Sequence, residues 1–163
     1  MPYATTDELI AALASVPDRV ESALREAGPA AQGAALPAED GDVAWNASQV
    51  LGHLGDAARY WGARFFRTVR EENPRLPGVD QDALMTYFAY RYRPLDELLQ
   101  AFRLTSAGNV ALLRGLPAEA WERTGVHEER GPMTLREMAE VEADHEIMHV
   151  RQLREALGLA PEA

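Results

Sequence analysis

Apolar residues recur at steps of three and four along most of this chain, the signature of helices with one buried face. The first run carries Leu9, Leu13, Val16, Val20 and Leu24. Thr5 and Glu8 have capping-box spacing at its start, Pro17 falls inside it, and Gly28 is placed to stop it. The proline is expected to kink or split this helix. A second run, Val50, Leu54, Ala57, Trp61 and Phe65, begins near Asn46 with Gln49 three residues on, and extends to about Glu72 before Asn73-Pro74. Its length should be about 40 Å at about 1.5 Å per residue.

The third run opens at Pro94 and continues through Leu95, Leu98, Leu99, Phe102 and Val110 to Leu113, with Gly115 following. The fourth starts at Thr134, which has capping-box spacing to Glu137. It runs through Leu135, Met138 and Val141 to Leu157, with Gly158 at its end. Between these lie an aromatic segment, Ala83 to Tyr92, suited to a short helix over one end, and a further turn from Pro117 to Trp121. Gly28 to Val43 is rich in Gly, Pro and Ala and reads as a long connection. Strand-like alternation is not evident anywhere. The expected class is therefore all-α, one domain over residues 1–163, with four long amphipathic helices forming a bundle.

Composition narrows the chemistry. Sixteen basic against 26 acidic residues give a net charge of −10, which opposes binding to nucleic acid or to an anionic membrane. Small-molecule substrates are the expected partners. The basic residues are all arginine, so lysine Schiff-base chemistry is excluded. There is no cysteine, so any metal must be held by His, Asp, Glu or backbone groups. No signal-peptide pattern and no run of roughly 18 apolar residues are present, and the cytoplasm is the expected location.

Histidine is scarce, with four in the chain. His145 and His149 stand one turn apart on the fourth helix, at or beside its buried stripe, and His53 borders the buried stripe of the second. Buried imidazoles without partners are costly, and a shared metal ion would satisfy them. Three neutral imidazoles suit zinc or nickel ahead of manganese or iron. Three protein ligands also leave a coordination position open for water or substrate. The segment His145-Glu146-Ile147-Met148-His149 also spells H-E-x-x-H, the zinc protease signature in which the glutamate is the general base. The protease reading is subordinate: little chain follows His149, and no edge strand is evident to align a peptide.

Other residues carry two readings each. Glu142 shares the face of His145 and could be a catalytic base or a fourth ligand; Asp56, three after His53, is a similar candidate. A solvated carboxylate on a helix face is the competing reading for both. Asp144 and Glu146 are turned about 100° from their neighbouring histidine and are expected to be exposed. Tyr60, Tyr87, Tyr90 and Tyr92 could line a pocket or serve as core. Arg59, Arg64, Arg91 and Arg93 could receive a carboxylate or lie in solvent. His127 is expected in an exposed loop.

Two motifs together resemble the DinB/YfiT-like superfamily of candidate metalloenzymes. One is Trp45 through Leu54, with Gly52-His53-Leu54 at its end. The other is Met133 to Met138 followed by Asp144 to His149 and Gln152-Leu153. The resemblance implies a four-helix bundle of variant up-and-down topology, often a homodimer. It places His53, His145 and His149 at the family's metal-ligand positions. It also implies a metal-dependent transferase that uses a low-molecular-weight thiol such as bacillithiol or mycothiol, or else a hydrolase. The alternative is a non-catalytic, stress-associated metal-binding bundle.

Overall fold

The computed structural model describes residues 3–34 and 45–161. Five α-helices are present: α1 (Thr6–Ala27), α2 (Ala47–Arg70), α3 (Gln81–Phe88), α4 (Leu95–Arg114) and α5 (Leu135–Ala156). Three short strands complete it: β1 (Arg75–Leu76), β2 (Thr124–His127) and β3 (Gly131–Thr134). Most of the Gly28–Val43 connection lies outside the described residues. Its first part, Gly28–Gly33, is a 3₁₀ turn. No helix among the described residues is long and apolar enough to cross a membrane.

The helix starts follow from their caps. Asn46 accepts from the Gln49 amide at 2.9 Å, while the Gln49 side chain takes the Asn46 amide at 3.1 Å. Thr134 and Glu137 form the same reciprocal pair. At α1 the reciprocity slips by one residue: Thr5 accepts from Glu8, but the Glu8 carboxylate takes the Ala4 amide instead. The structure keeps α1 as one helix across the buried Pro17. Gly28 ends it at φ 62, a left-handed conformation that glycine adopts without penalty.

α1 packs on α4 and α5, and α2 packs on the same two. Consecutive helices α1 and α2 therefore face each other across a diagonal. The long connection after α1 permits this crossing. α2 and α5 are antiparallel, since His53 meets His145 near one end and Thr68 meets Met138 at the other.

Three short strands add to the expected helical bundle. β2 and β3 form a hairpin between α4 and α5, and β1 adds in parallel, giving the order β1-β2-β3. Two to four residues per strand are too few for alternation to stand out in sequence. The sheet closes the bundle end where α2 finishes, with Leu76, Trp121 and Met133 buried against Phe65 and Met138. α3 has no fully buried residue. It is followed by the Tyr90–Tyr92 turn, which returns Tyr90 to the core.

The apolar core falls into two clusters. One gathers Leu9, Leu13, Trp61, Phe65, Leu113 and Met138; the other gathers Val20, Leu51, Leu54, Phe102, Val150 and Leu153. On α5 the first reaches Ala143 and the second begins again at Val150. The polar residues between them occupy the junction.

Two glycines of α2 should respond oppositely to alanine. A Cβ at Gly52 would stand 2.3 Å from the buried Tyr90 ring, whereas one at Gly55 meets nothing within 4 Å. Gly52→Ala should cost about 1–3 kcal/mol through overpacking. Gly55→Ala should gain about 0.5–1 kcal/mol through helix propensity. Urea unfolding of both variants checks this, and a neutral Gly52→Ala would contradict the packing described.

Candidate metal centre

α2 and α5 bring three imidazoles to one point. His53 Nε2 and His149 Nε2 each lie 3.1 Å from His145 Nε2. The ligand atoms of all three fall within 4.8 Å of one another. His53 and His149 are buried, and His145 is partly exposed. The sequence pattern allows this because 145 and 149 are one turn apart and 53 sits on the facing helix.

Neighbouring side chains hold the rings. His149 Nδ1 is 2.7 Å from Gln152 Oε1, an oxygen that can only accept. Nδ1 therefore carries the hydrogen, and the Nε2 lone pair is directed into the cluster. Trp45 stacks on His149 at 6.3 Å between centroids and lies tilted against His53 at 5.2 Å. Burial, together with the two neighbouring rings, pushes His53 down to about 3. Burial, with His149 and then Arg130, pushes His145 down to about 4. Burial also lowers His149, against the pull of Gln152. All three are therefore neutral at neutral pH, the form that ligates metal.

This arrangement fits a divalent cation. Converging nitrogen lone pairs repel each other, and a neutral cluster can place few hydrogens between three atoms. Nitrogens bound at about 2.0–2.1 Å to one tetrahedral zinc stand roughly 3.3 Å apart, close to the distances here. No carboxylate joins the converging atoms among the described residues.

The sequence matches the model of the DinB superfamily over residues 12–153. The chain belongs to the DinB superfamily. Among solved structures, the fold is similar to that of YfiT from Bacillus subtilis, described as a probable metal-dependent hydrolase with an unusual four-helix bundle topology. The two share 23% identity over 95% of this chain and 89% of that one, with a TM-score of 0.81. Among curated proteins, none matches the sequence. The diagonal placement of α1 and α2 is the variant bundle topology expected of a DinB chain.

Several side chains lie elsewhere than the sequence suggested. Glu146, expected in solvent, is 2% exposed. It sits one turn from Glu142, which is 1% exposed. Stripe width explains the error: α5 packs on both α1 and α2, so its buried face is wider than one line of residues. Neither Glu142 oxygen has a hydrogen-bond partner among the described residues, and Glu146 Oε2 and His145 Nδ1 are likewise unpartnered. Burial and then the Glu146 charge push the Glu142 carboxyl well up, opposed by Arg64. Burial pushes Glu146 to about 8.

Asp56 is also buried rather than solvated. It accepts from the Tyr90 hydroxyl at 2.8 Å and from Arg59 at 2.6 Å, which removes it from the ligand candidates. Burial raises it, and those two bonds lower it. Tyr90 is core, whereas Tyr87 and Tyr92 are exposed. Asp144 is exposed as expected and accepts from Tyr3. His127, expected in an exposed loop, is buried on β2 and stacks on Trp61 at 5.8 Å.

The cluster borders a cavity of about 460 Å³. Its lining includes His145, Tyr60, Trp61, Arg64, His127 and Met148. Sequence reasoning assigned no role to Trp45 or Gln152. The three-residue spacing of Gln152 from His149 was the available signal for the latter.

The carboxyl pair gives a pH test on metal-free protein. A carboxyl raised in the fold stays protonated there but ionises in the unfolded chain above about 4.5. Its contribution is thus complete below about 4.5 and is lost as pH rises toward the folded value, about 8 for Glu146. Glu146→Gln should unfold at a higher temperature than wild type at pH 8, by on the order of 2 kcal/mol in stability. The difference should shrink by pH 5. An equal difference at both pH values would contradict a buried, protonated pair.

Proposed function

We propose that this chain is a metal-dependent enzyme that activates a low-molecular-weight thiol for transfer to an electrophile. The observation that carries the proposal is the buried three-histidine cluster with one member, His145, on the wall of the cavity. His53, His145 and His149 are the proposed ligands, with zinc or nickel ahead of manganese or iron. A divalent cation held by neutral imidazoles lowers the pKa of a thiol that reaches it, supplying a nucleophile at neutral pH. The chain has no cysteine, so the sulfur arrives with the co-substrate.

Thiol transfer is favoured over hydrolysis by where the carboxyls lie. Water activation is commonly assisted by an ionised carboxylate facing the metal. The glutamate of H-E-x-x-H, Glu146, is buried and absent from the cavity wall. The protease reading fails on the same ground, although a short sheet does exist here. Asp144 and Glu129 do line the cavity, and the Tyr3 hydroxyl engages Asp144, so these two are the carboxylates through which hydrolysis would run. Hydrolysis stands as the second reading, favoured by the description of YfiT.

Glu142 has a narrower role than a catalytic base. It is absent from the cavity wall, and its carboxyl is close enough to couple to Tyr60 and Arg64. Burial and then Glu142 push the Tyr60 hydroxyl up to about 12. Tyr60 therefore remains a hydrogen-bond donor toward whatever occupies the cavity. Glu142 acts as a positioning residue, and the substrate meets Tyr60. The protein is proposed to act on small molecules in the cytoplasm, as a homodimer.

Elemental analysis of wild type and His149→Ala, followed by a thiol-conjugation assay, tests this reading. Wild type should hold about one metal per chain, and His149→Ala should lose affinity by at least about tenfold. Conjugation should be abolished by a chelator and restored by added metal. Equal metal retention by His149→Ala would remove it from the ligand set. Chelator-insensitive conjugation would remove the metal from the reaction, and chelator-sensitive ester hydrolysis without any conjugation would promote the second reading.

A further inference from the structure

We infer that the cavity beside the histidine cluster binds a small substrate through a carboxylate, and that Arg64 is the receptor for it. The inference rests on the proposed reading of that cavity as the place where chemistry occurs.

Arg64 is 6% exposed, yet no acidic side chain among the described residues forms an ion pair with it. Its guanidinium lies over the Trp61 ring at 4.5 Å and near the Tyr60 ring at 5.1 Å. Nη2 donates to the Pro77 carbonyl at 2.8 Å. These contacts fix the plane of the group and use one of its five N–H donors. The remaining nitrogens are not sealed in the protein: none is a buried unpartnered atom, and Arg64 lines the cavity.

A buried cation without a counter-ion is costly. The chain has 26 acidic residues from which a partner could have been drawn. Glu142 and Glu129 both feel the Arg64 charge, but neither forms an ion pair with it. The free donor edge therefore faces the cavity, ready for an anion from outside. A planar guanidinium edge matches the two oxygens of a carboxylate. A phosphate dianion fits less well, because Glu129 and Asp144 share the wall with Arg64 and Arg130.

The spacing gives the ligand a length. Arg64 reaches back over Tyr60, which is seven residues, or roughly 10 Å, along α2 from His53. Trp61, Val141 and Met148 supply apolar wall between the two ends. A carboxylic acid of about six carbons suits this distance.

Calorimetric titration of the metal-free full chain with hexanoate, hexanamide and inorganic phosphate tests the assignment. Hexanoate should bind saturably, and hexanamide should bind at least about tenfold more weakly because the charged hydrogen bond is lost. Arg64→Gln should reduce hexanoate to the level of the amide, while Arg64→Lys should retain an intermediate affinity. Equal binding of acid and amide by wild type would overturn the inference. So would unchanged hexanoate binding by Arg64→Gln, or tighter binding of phosphate than of hexanoate. If Arg64→Gln does not fold, the wild-type comparison of acid and amide still decides. His149→Ala should bind hexanoate like wild type, and Arg64→Gln should retain metal like wild type. A failure of the metal site and a failure of the carboxylate site are therefore read separately.

Discussion

Three buried nitrogen atoms facing one another at about 3 Å form the constraint around which the rest of this protein is arranged. Neutral imidazoles satisfy that geometry only in part, because one Nε2 hydrogen can be donated to a neighbouring lone pair while the third nitrogen is left over. Protonation is opposed by burial. A shared cation would satisfy all three. Trp45 and Gln152 then have a purpose, since Trp45 packs on His149 and His53 and Gln152 hydrogen-bonds the far nitrogen of His149.

The bundle topology supplies that convergence. With α1 and α2 on a diagonal, α2 is free to pack along α5, the helix that carries the other two histidines. The apolar core is divided at this level, with one cluster toward the sheet and one toward the opposite end. Polar groups concentrate in the gap. They include a pair of buried carboxyls one turn apart, and a guanidinium on the wall of a cavity. In the proposed reading, the histidines and the arginine make a site with distinct ends, one for a metal-bound thiol and one for a carboxylate.

Much of this was legible from the residues. The capping pairs at Asn46 and Thr134 fixed two helix starts to the residue, because a side-chain cap is a local interaction. His53, His145 and His149 were legible because helical spacing and buried stripes share one period. What was lost depended on tertiary contact. Glu146 was read as solvated from rotation about a single helix, and Asp56 was left between a ligand and a solvated carboxylate. Their burial comes from a second neighbour in one case and from Tyr90 and Arg59 in the other. The strands were too short to carry a period, so His127 passed as a loop residue although Trp61 covers it. Arg64 was weighed among several arginines, and only packing separated it from the others.

The coordination sphere itself offers the most direct test. X-ray absorption at the zinc edge of the zinc-loaded protein should show about three imidazole nitrogens near 2.0–2.1 Å. Addition of a small thiol should bring one sulfur to about 2.3 Å. A sphere of oxygen ligands without imidazole scattering would contradict the account at its centre.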